Sequence, residues 1–354
     1  MRANNLDALA VVPGANLSYL AGLDFHTKLR LTMALLPCEG EPALVLPTME
    51  AARAAAAARA PFRQHPWDDA DGPAAALQRA AADMGLAGRR IGIEHHVMRV
   101  FELRALEAAA PGAAIVDASG LIAGLRMVKD GEELAAMRVA VQIIEDSLRA
   151  AIAQARVGMT ERELAAIWEA GIREAGSVPS FDTTVASGPN GASPHHANSD
   201  RKLQPGDLVV LDGGAYYNGY ASDITRTIAV GEPSPEARRI YDLVYVANAA
   251  GRAAAAAPGA TGESIDRAAR DVIEAGGYGP QFIHRTGHGL GMEVHEPPFI
   301  VGGSRDPLPI GATFTVEPGI YVAGLGGVRI EDDMAITAGG AECLTAFPRE
   351  LIVV

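Results

Sequence analysis

The chain has 354 residues, 49% hydrophobic and 21% charged, the balance of a globular protein able to bury a sizeable core. Its 43 acidic residues against 30 Lys and Arg give a net charge of −13, a field that repels phosphate backbones and anionic lipid; nucleic acid and membrane surfaces are excluded as expected partners. No run approaches the ~18 apolar residues of a membrane span, and Cys38 and Cys343 lack C-x-x-C spacing, so neither a zinc knuckle nor a disulfide framework is indicated.

The first twenty residues contain no continuous apolar segment or small-residue cleavage site, and with the sparse cysteines this sets the expectation of a cytoplasmic protein. The length favours one small and one large domain. Residues 6–47 alternate short apolar runs (DALAVV, TMALLP, PALVLP) with turn residues such as PGAN, the pattern of strands with short connections. Alanine-rich stretches at 49–60 and 74–84 favour helix, and RRIGIE at 89–94 favours another strand. An α/β domain over 1–126 is therefore expected, followed by a larger domain over 127–354. The latter opens on a long amphipathic helix at 130–154, where Leu134, Met137, Val141, Ile144, Leu148 and Ile152 recur at intervals of three and four.

Beyond that helix the sequence repeats itself. Residues 157–176 and 258–277 superpose at an offset of 101, matching Gly158 with Gly259, Thr160 with Thr261 and Gly176 with Gly277. Each copy opens on a Thr in N-cap position and closes on Gly, and Thr160 with Glu163 spells a capping box. A second long helix is opened by Ser234 and Pro235. Two helix-plus-sheet halves related by a pseudo-two-fold are predicted, an α+β fold.

Five metal donors lie across those halves: Asp212 and Asp223 in the first, His288, Glu317 and Glu331 in the second. Asn218-Gly219 predicts a two-residue hairpin turn. It pairs Tyr217 with Tyr220 and Gly214 with Asp223, which puts both aspartates on one face. Gly213 and Gly214 beside them would leave room for metal or substrate. In HRTGHGLGMEVH (284–295), Gly287, Gly289 and Gly291 would let the backbone approach a ligand around His288. The spacing is not G-x-G-x-x-G, and Pro297-Pro298 after His295-Glu296 excludes an H-E-x-x-H helix. Thr313, Thr315 and Glu317 share a strand face that Pro318 ends, and Arg329 shares a face with Glu331, where it would fix that carboxylate or grip a substrate carboxylate bidentately. Four carboxylates buried unpaired would cost several kcal/mol each. Two divalent cations remove that cost, and the oxygen-rich set favours Mn(II), with Co(II) or Zn(II) as alternatives.

In this order, D-(x)10-D, GHGLG with VHE, TVEPGIY and VRIEDD resemble the pita-bread metallopeptidases, and the SDITRT run points to their Xaa-Pro branch of prolidase and aminopeptidase P. The LDAL and NLSYLAG segments look like that branch's creatinase-type N-terminal domain, so the resemblance covers nearly the whole chain. It implies metal ligands at Asp212, Asp223, His288, Glu317 and Glu331. It further implies substrate or transition-state contacts from His195, His284 and His295, with Arg329 behind the ligands or in the substrate pocket. Glu317 would accept the proton from a bridging water held by two metals. The implied activity is hydrolysis of the bond preceding proline in a small peptide, first as a Xaa-Pro dipeptidase, by a homodimer. Aminopeptidase P action on longer peptides, turnover of a non-peptide small molecule and a metal-free binding module are the alternatives.

Overall fold

The computed structural model describes residues 1–25 and 29–354; of the stretch read as strands and turns over 6–47, residues 26–28 lie outside the described residues. The chain divides into two compact units, Met1–Arg126 and Met127–Val354.

In the first unit six strands form one sheet in the order Arg63–Trp67, Ala43–Pro47, Met33–Pro37, Ala8–Val11, Arg90–Ile93, Ala114–Asp117. Ala8–Val11 runs antiparallel to Met33–Pro37 and parallel to Arg90–Ile93. Alternation assigns its two faces: Ala8 and Ala10 enter one apolar cluster with Met33, Leu35 and Leu77, while Leu9 and Val11 enter another with Leu17, Leu44 and Leu46. Because helices cover both faces, these strands read as apolar runs rather than as alternating polar and apolar residues. The alanine-rich stretches are the helices Ala51–Ala57 and Ala74–Asp83. The turn expected at PGAN opens a helix instead, Ala15–Ala21, with Gly14 as its N-cap.

The second unit begins with the helix Gly131–Ile152, whose cap Asp130 accepts from the Glu132 and Glu133 backbone N–H groups while Glu133 returns a bond to Asp130. The repeated segments form helices of equal length, Glu161–Glu174 and Gly262–Ala275. Both caps are reciprocal. In the second copy Ser264 plays the part that Glu163 plays in the first, a pairing the T-x-x-E pattern does not reveal. Thr160 bridges Lys202 and Thr261 bridges Pro307, so the two caps also make equivalent antiparallel contacts.

Each half packs helices on a sheet. In the first, Ile144, Leu148, Leu164 and Trp168 pack on Val209, Leu211, Ile224 and Ile228. In the second, Ile265 packs with Ile300, Phe314, Val316 and Met334, and Ile240, Val244 and Ile273 with Ile320 and Val328. Trp168 is fully buried, with its indole N–H donating to Ser147 Oγ at 3.1 Å; truncating such a side chain costs on the order of 3–5 kcal/mol. The first-half sheet runs Ile352–Val353, Ile224–Ala229, Leu208–Gly213, Thr184–Ser187, and the second Glu296–Ile300, Gly287–Gly289, Thr313–Val316, Asp332–Thr337, Gly340–Cys343. Among the described residues, no helix is long and apolar enough to cross a membrane.

Candidate metal centre

Each of the five donors stands on or beside a strand that stops early. Asp212 is the penultimate residue of Leu208–Gly213, and Asp223 directly precedes Ile224–Ala229. Tyr217 pairs with Tyr220 and Gly213 with Ile224, the register that puts both aspartates on one face. His288 is the middle residue of Gly287–Gly289. Glu317 lies between Thr313–Val316 and Gly319–Val322, where Pro318 has no N–H to continue the ladder, and Glu331 lies between Gly326–Arg329 and Asp332–Thr337. Asp212 and His288 project from paired strand positions, while Asp223, Glu317 and Glu331 lie just outside the strands, free of the strict alternation of a ladder, and so can converge with them.

They converge on one cavity of about 870 Å³ lined by Asp212, Asp223, His288, Glu317 and Glu331, together with His195, His284, Arg285, His295 and Arg329. Ligand atoms of Asp223, His288 and Glu331, all buried, lie within 4.8 Å of one another. His288 Nδ1 lies 3.1 Å from the Gly289 carbonyl, so it carries the proton, and the lone pair sits on Nε2. Nε2 in turn faces Glu317 Oε1 at 3.4 Å and Asp223 Oδ2 at 3.8 Å.

Lone pairs therefore face lone pairs. Asp212 Oδ1 and Asp223 Oδ1 are buried without any hydrogen-bond partner among the described residues. Burial first, then the charges of Glu331 and Asp212, drive the Asp223 carboxyl well above its ordinary range; burial, Glu317 and Asp212 do the same to Glu331. Glu317 is pushed up to about 7, by burial above all. His288 is pushed down to about 3 by burial and by the neighbouring His295. Only protons or cations reconcile such a set, and a neutral imidazole among carboxylates is a donor set that divalent cations take. The residues present fit the metals that the sequence reading expected.

Arg329 braces this arrangement from behind. Its Nη2 donates to Asp212 Oδ2 at 2.6 Å, its Nε to Thr225 Oγ1 at 3.0 Å and its Nη1 to the Tyr321 hydroxyl at 2.7 Å. Thr225 passes the contact on, donating to Glu331 Oε2 at 2.6 Å. Tyr321 likewise donates to His284 Nε2 at 2.9 Å, because His284 Nδ1 is committed to the Arg285 carbonyl at 2.7 Å. Asp333 holds the Asp223 backbone N–H at 3.1 Å.

Three expectations are narrowed or changed as a result. The Arg329 fork is spent inside the protein on Asp212, Thr225 and Tyr321, so of the two roles left open for it the structure favours bracing a carboxylate over gripping a substrate. Both His284 nitrogens are engaged, and burial holds the ring neutral with its pKa down to about 4, so it offers substrate no free donor or acceptor. The glycines answer to packing rather than to ligand access: a Cβ on Gly213 would meet the Trp168 ring, on Gly214 the Ser222 carbonyl and Ser180, on Gly287 the Thr315 carbonyl at 1.9 Å, on Gly289 the Glu296 carbonyl and on Gly291 the Glu296 carboxylate.

His195 and His295, by contrast, are exposed and line the cavity, with the His295 ring 4.2 Å from that of His288. His196 turns away, lying 2.8 Å from the buried Glu161 carboxylate. Thr225, Tyr321, Asp333 and Arg285 escaped the sequence reading as individuals, although Thr225 and Tyr321 stand inside the SDITRT and TVEPGIY strings.

Acceptors gathered in one cavity between duplicated helix-and-sheet halves define a metal-dependent hydrolase of the pita-bread type. The chain belongs to metallopeptidase family M24, which residues 135–338 match, and residues 1–128 match the creatinase/prolidase N-terminal domain. It is 42% identical to the probable dipeptidase PepE of Mycobacterium tuberculosis, over 99% of this chain and 92% of that protein. To the Xaa-Pro dipeptidase of Pyrococcus furiosus it is 46% identical, over 66% of this chain and 67% of that one. A crystal structure of prolidase from Thermococcus sibiricus superposes with a TM-score of 0.94 at 37% identity, covering 100% of this chain and 96% of that one.

Proposed function

We propose that this chain is a Xaa-Pro dipeptidase in which Asp212, Asp223, His288, Glu317 and Glu331 hold two divalent cations, Mn(II) by first preference. The observation that carries the reading is the convergence of unpartnered carboxylate oxygens and the His288 Nε2 lone pair on one cavity. When bound, the cations lower the pKa of water and polarise the scissile carbonyl.

The remaining chemistry falls to side chains. Glu317, beside the Thr315 hydroxyl at 3.4 Å, takes the proton from the attacking water and delivers it to the proline nitrogen as the C–N bond breaks. His295 and His195 donate to the oxygen of the tetrahedral carbon, where negative charge develops. Arg329 keeps Asp212 aimed through its bond to Oδ2. A bond to proline carries no amide N–H, so selection rests on the ring and the carbonyl.

A digest of a peptide library with added manganese tests this. Cleavage before proline in Xaa-Pro substrates, abolished by chelation and restored by the metal, is the expected result; cleavage without regard to proline would end the assignment. Action as a homodimer in the cytoplasm belongs to the same reading and rests on the family resemblance. Light scattering of the purified chain checks the dimer.

A further inference from the structure

Lys129, the residue before the N-cap of the first long helix, sends its ammonium into the second half, where Nζ donates to Glu296 Oε1 at 2.6 Å. Only 1% and 4% of the two side chains is exposed, so both charges are buried. Such a pair adds little net stability, because losing water offsets most of the attraction, and an apolar pair of similar volume often holds a fold as well. What it does supply is direction. The Glu296 carboxylate also accepts from the Glu293 N–H through Oε2 at 3.3 Å, and a Cβ on Gly291 would meet Glu296 Oε1 at 2.5 Å and Lys129 Cε at 2.9 Å. The loop from Gly291 to Glu296, which carries His295, thus begins and ends on this pair. Little of the backbone ladder fixes the end of that loop. The pairing of Gly287–Gly289 with Glu296–Ile300 shifts register after His288, which faces Phe299 while Gly289 faces Glu296, and Pro297 and Pro298 in between have no N–H to donate. Lys129, by contrast, is held: its N–H donates to the Gly311 carbonyl at 2.9 Å, and the adjoining Asp130 caps the helix Gly131–Ile152.

We propose that Lys129 is a positioning residue for the reaction: through Glu296 it fixes where His295 stands in the cavity, its ring 4.2 Å from that of His288. This role rests on the reading above, in which His295 donates to the developing oxyanion. Lys129 itself touches neither substrate nor metal ligand. A donor aimed at a transition state is effective only when held in place, and a misplacement of about 1 Å costs up to about a hundredfold in rate. The pair also makes His295 depend on how the two halves meet, since Lys129 leads into the long helix of the first and Glu296 opens a strand of the second.

The test compares Lys129→Met with Lys129→Met/Glu296→Met in the manganese-loaded full chain, with alanyl-proline as substrate. The single variant leaves a carboxylate buried without its cation and should lower both the melting temperature and kcat; the double variant removes both charges and should recover the melting temperature. Because apolar contact is non-directional, kcat of the double variant should stay roughly tenfold to a hundredfold below that of the unaltered chain, with KM and manganese affinity within about twofold. Recovery of kcat together with stability would make the pair a structural feature only and overturn the proposal. Adding His295→Ala to the double variant should lower kcat by no more than about twofold, since the placement it removes is already lost; losses that multiply independently would also overturn it. If the unaltered chain leaves alanyl-proline intact, or His295→Ala alone leaves kcat unchanged, the fault lies in the proposed function. Amide hydrogen exchange over residues 290–296 then decides the positioning by itself: faster exchange in the double variant supports it, and unchanged exchange refutes it.

Discussion

Arg329 Nη2 lies 2.6 Å from Asp212 Oδ2, and this contact leaves Asp212 Oδ1 as the oxygen with nothing to bind. One carboxylate is thereby divided, with one oxygen anchored to a buried guanidinium and the other presented to the cavity. Through Thr225 the same arginine steadies Glu331, and through Tyr321 it steadies His284.

Arg329→Lys should therefore weaken manganese binding by roughly tenfold to a hundredfold, the usual penalty for removing a group that orients a ligand. Lysine keeps the charge but cannot reach Asp212, Thr225 and Tyr321 together. Calorimetric titration measures the affinity, and excess manganese should restore much of the activity. An unchanged affinity would show that Asp212 needs no brace.

Glu317→Gln should abolish hydrolysis, by on the order of a thousandfold or more, in a protein that still folds. The amide neither accepts the water's proton nor balances cation charge. Stopped assays paired with circular dichroism check this, and near-normal turnover would remove Glu317 from the mechanism.

Metal removal should expose a pH dependence of known sign. In the folded chain Glu317 is raised to about 7, and Asp223 and Glu331 are also raised, so the folded state holds protons that the unfolded state gives up. The contribution of these three groups to the stability of the chelated protein is then fully present below the ordinary carboxylate range and is lost as pH rises through about 7. Manganese, by replacing those protons, should flatten the slope. Denaturant titrations at pH 5 and about 7.5, with and without metal, make the comparison; a chelated protein more stable at the higher pH would contradict the picture.

Glu161 predicts the opposite slope in a lower window. Its buried carboxylate accepts from the backbone and side chains of Ser187 and Ser199 and from Asn190, and pairs with His196, tying down the segment that carries His195. Burial alone would raise it, but these bonds hold it at about 2. The folded value is depressed, so this stability is present above the unfolded carboxylate pKa and is lost as pH falls toward 2. Glu161→Gln should cost on the order of 3 kcal/mol near neutrality and much less at acid pH, and equal costs at both would disprove the linkage.

Gly287→Ala should prevent correct folding, since its Cβ would press into the Thr315 carbonyl, whereas Gly302→Ala, with open space around it, should be neutral. Soluble yield and thermal unfolding of the pair provide the check.

Much of this was legible in the chain. The repeat offset, the caps at Thr160 and Thr261, the Asn218-Gly219 register and the spacing of the five donors follow from periodicity, capping chemistry and turn geometry, which act over a few residues. The helices Val100–Ala109 and Ser119–Arg126 did not announce themselves, because their apolar positions complete a core built by distant strands.

Sequence by itself thus picked out the five donors that line one cavity and the local elements on which they ride. The partnership of each polar atom was decided only by tertiary packing: that Arg329 is spent on Asp212, that His284 is locked by Tyr321, and that Gly287 yields to Thr315. Hydrogen bonds and close contacts between residues far apart in sequence are fixed by where the strands cross, and no local preference encodes that crossing.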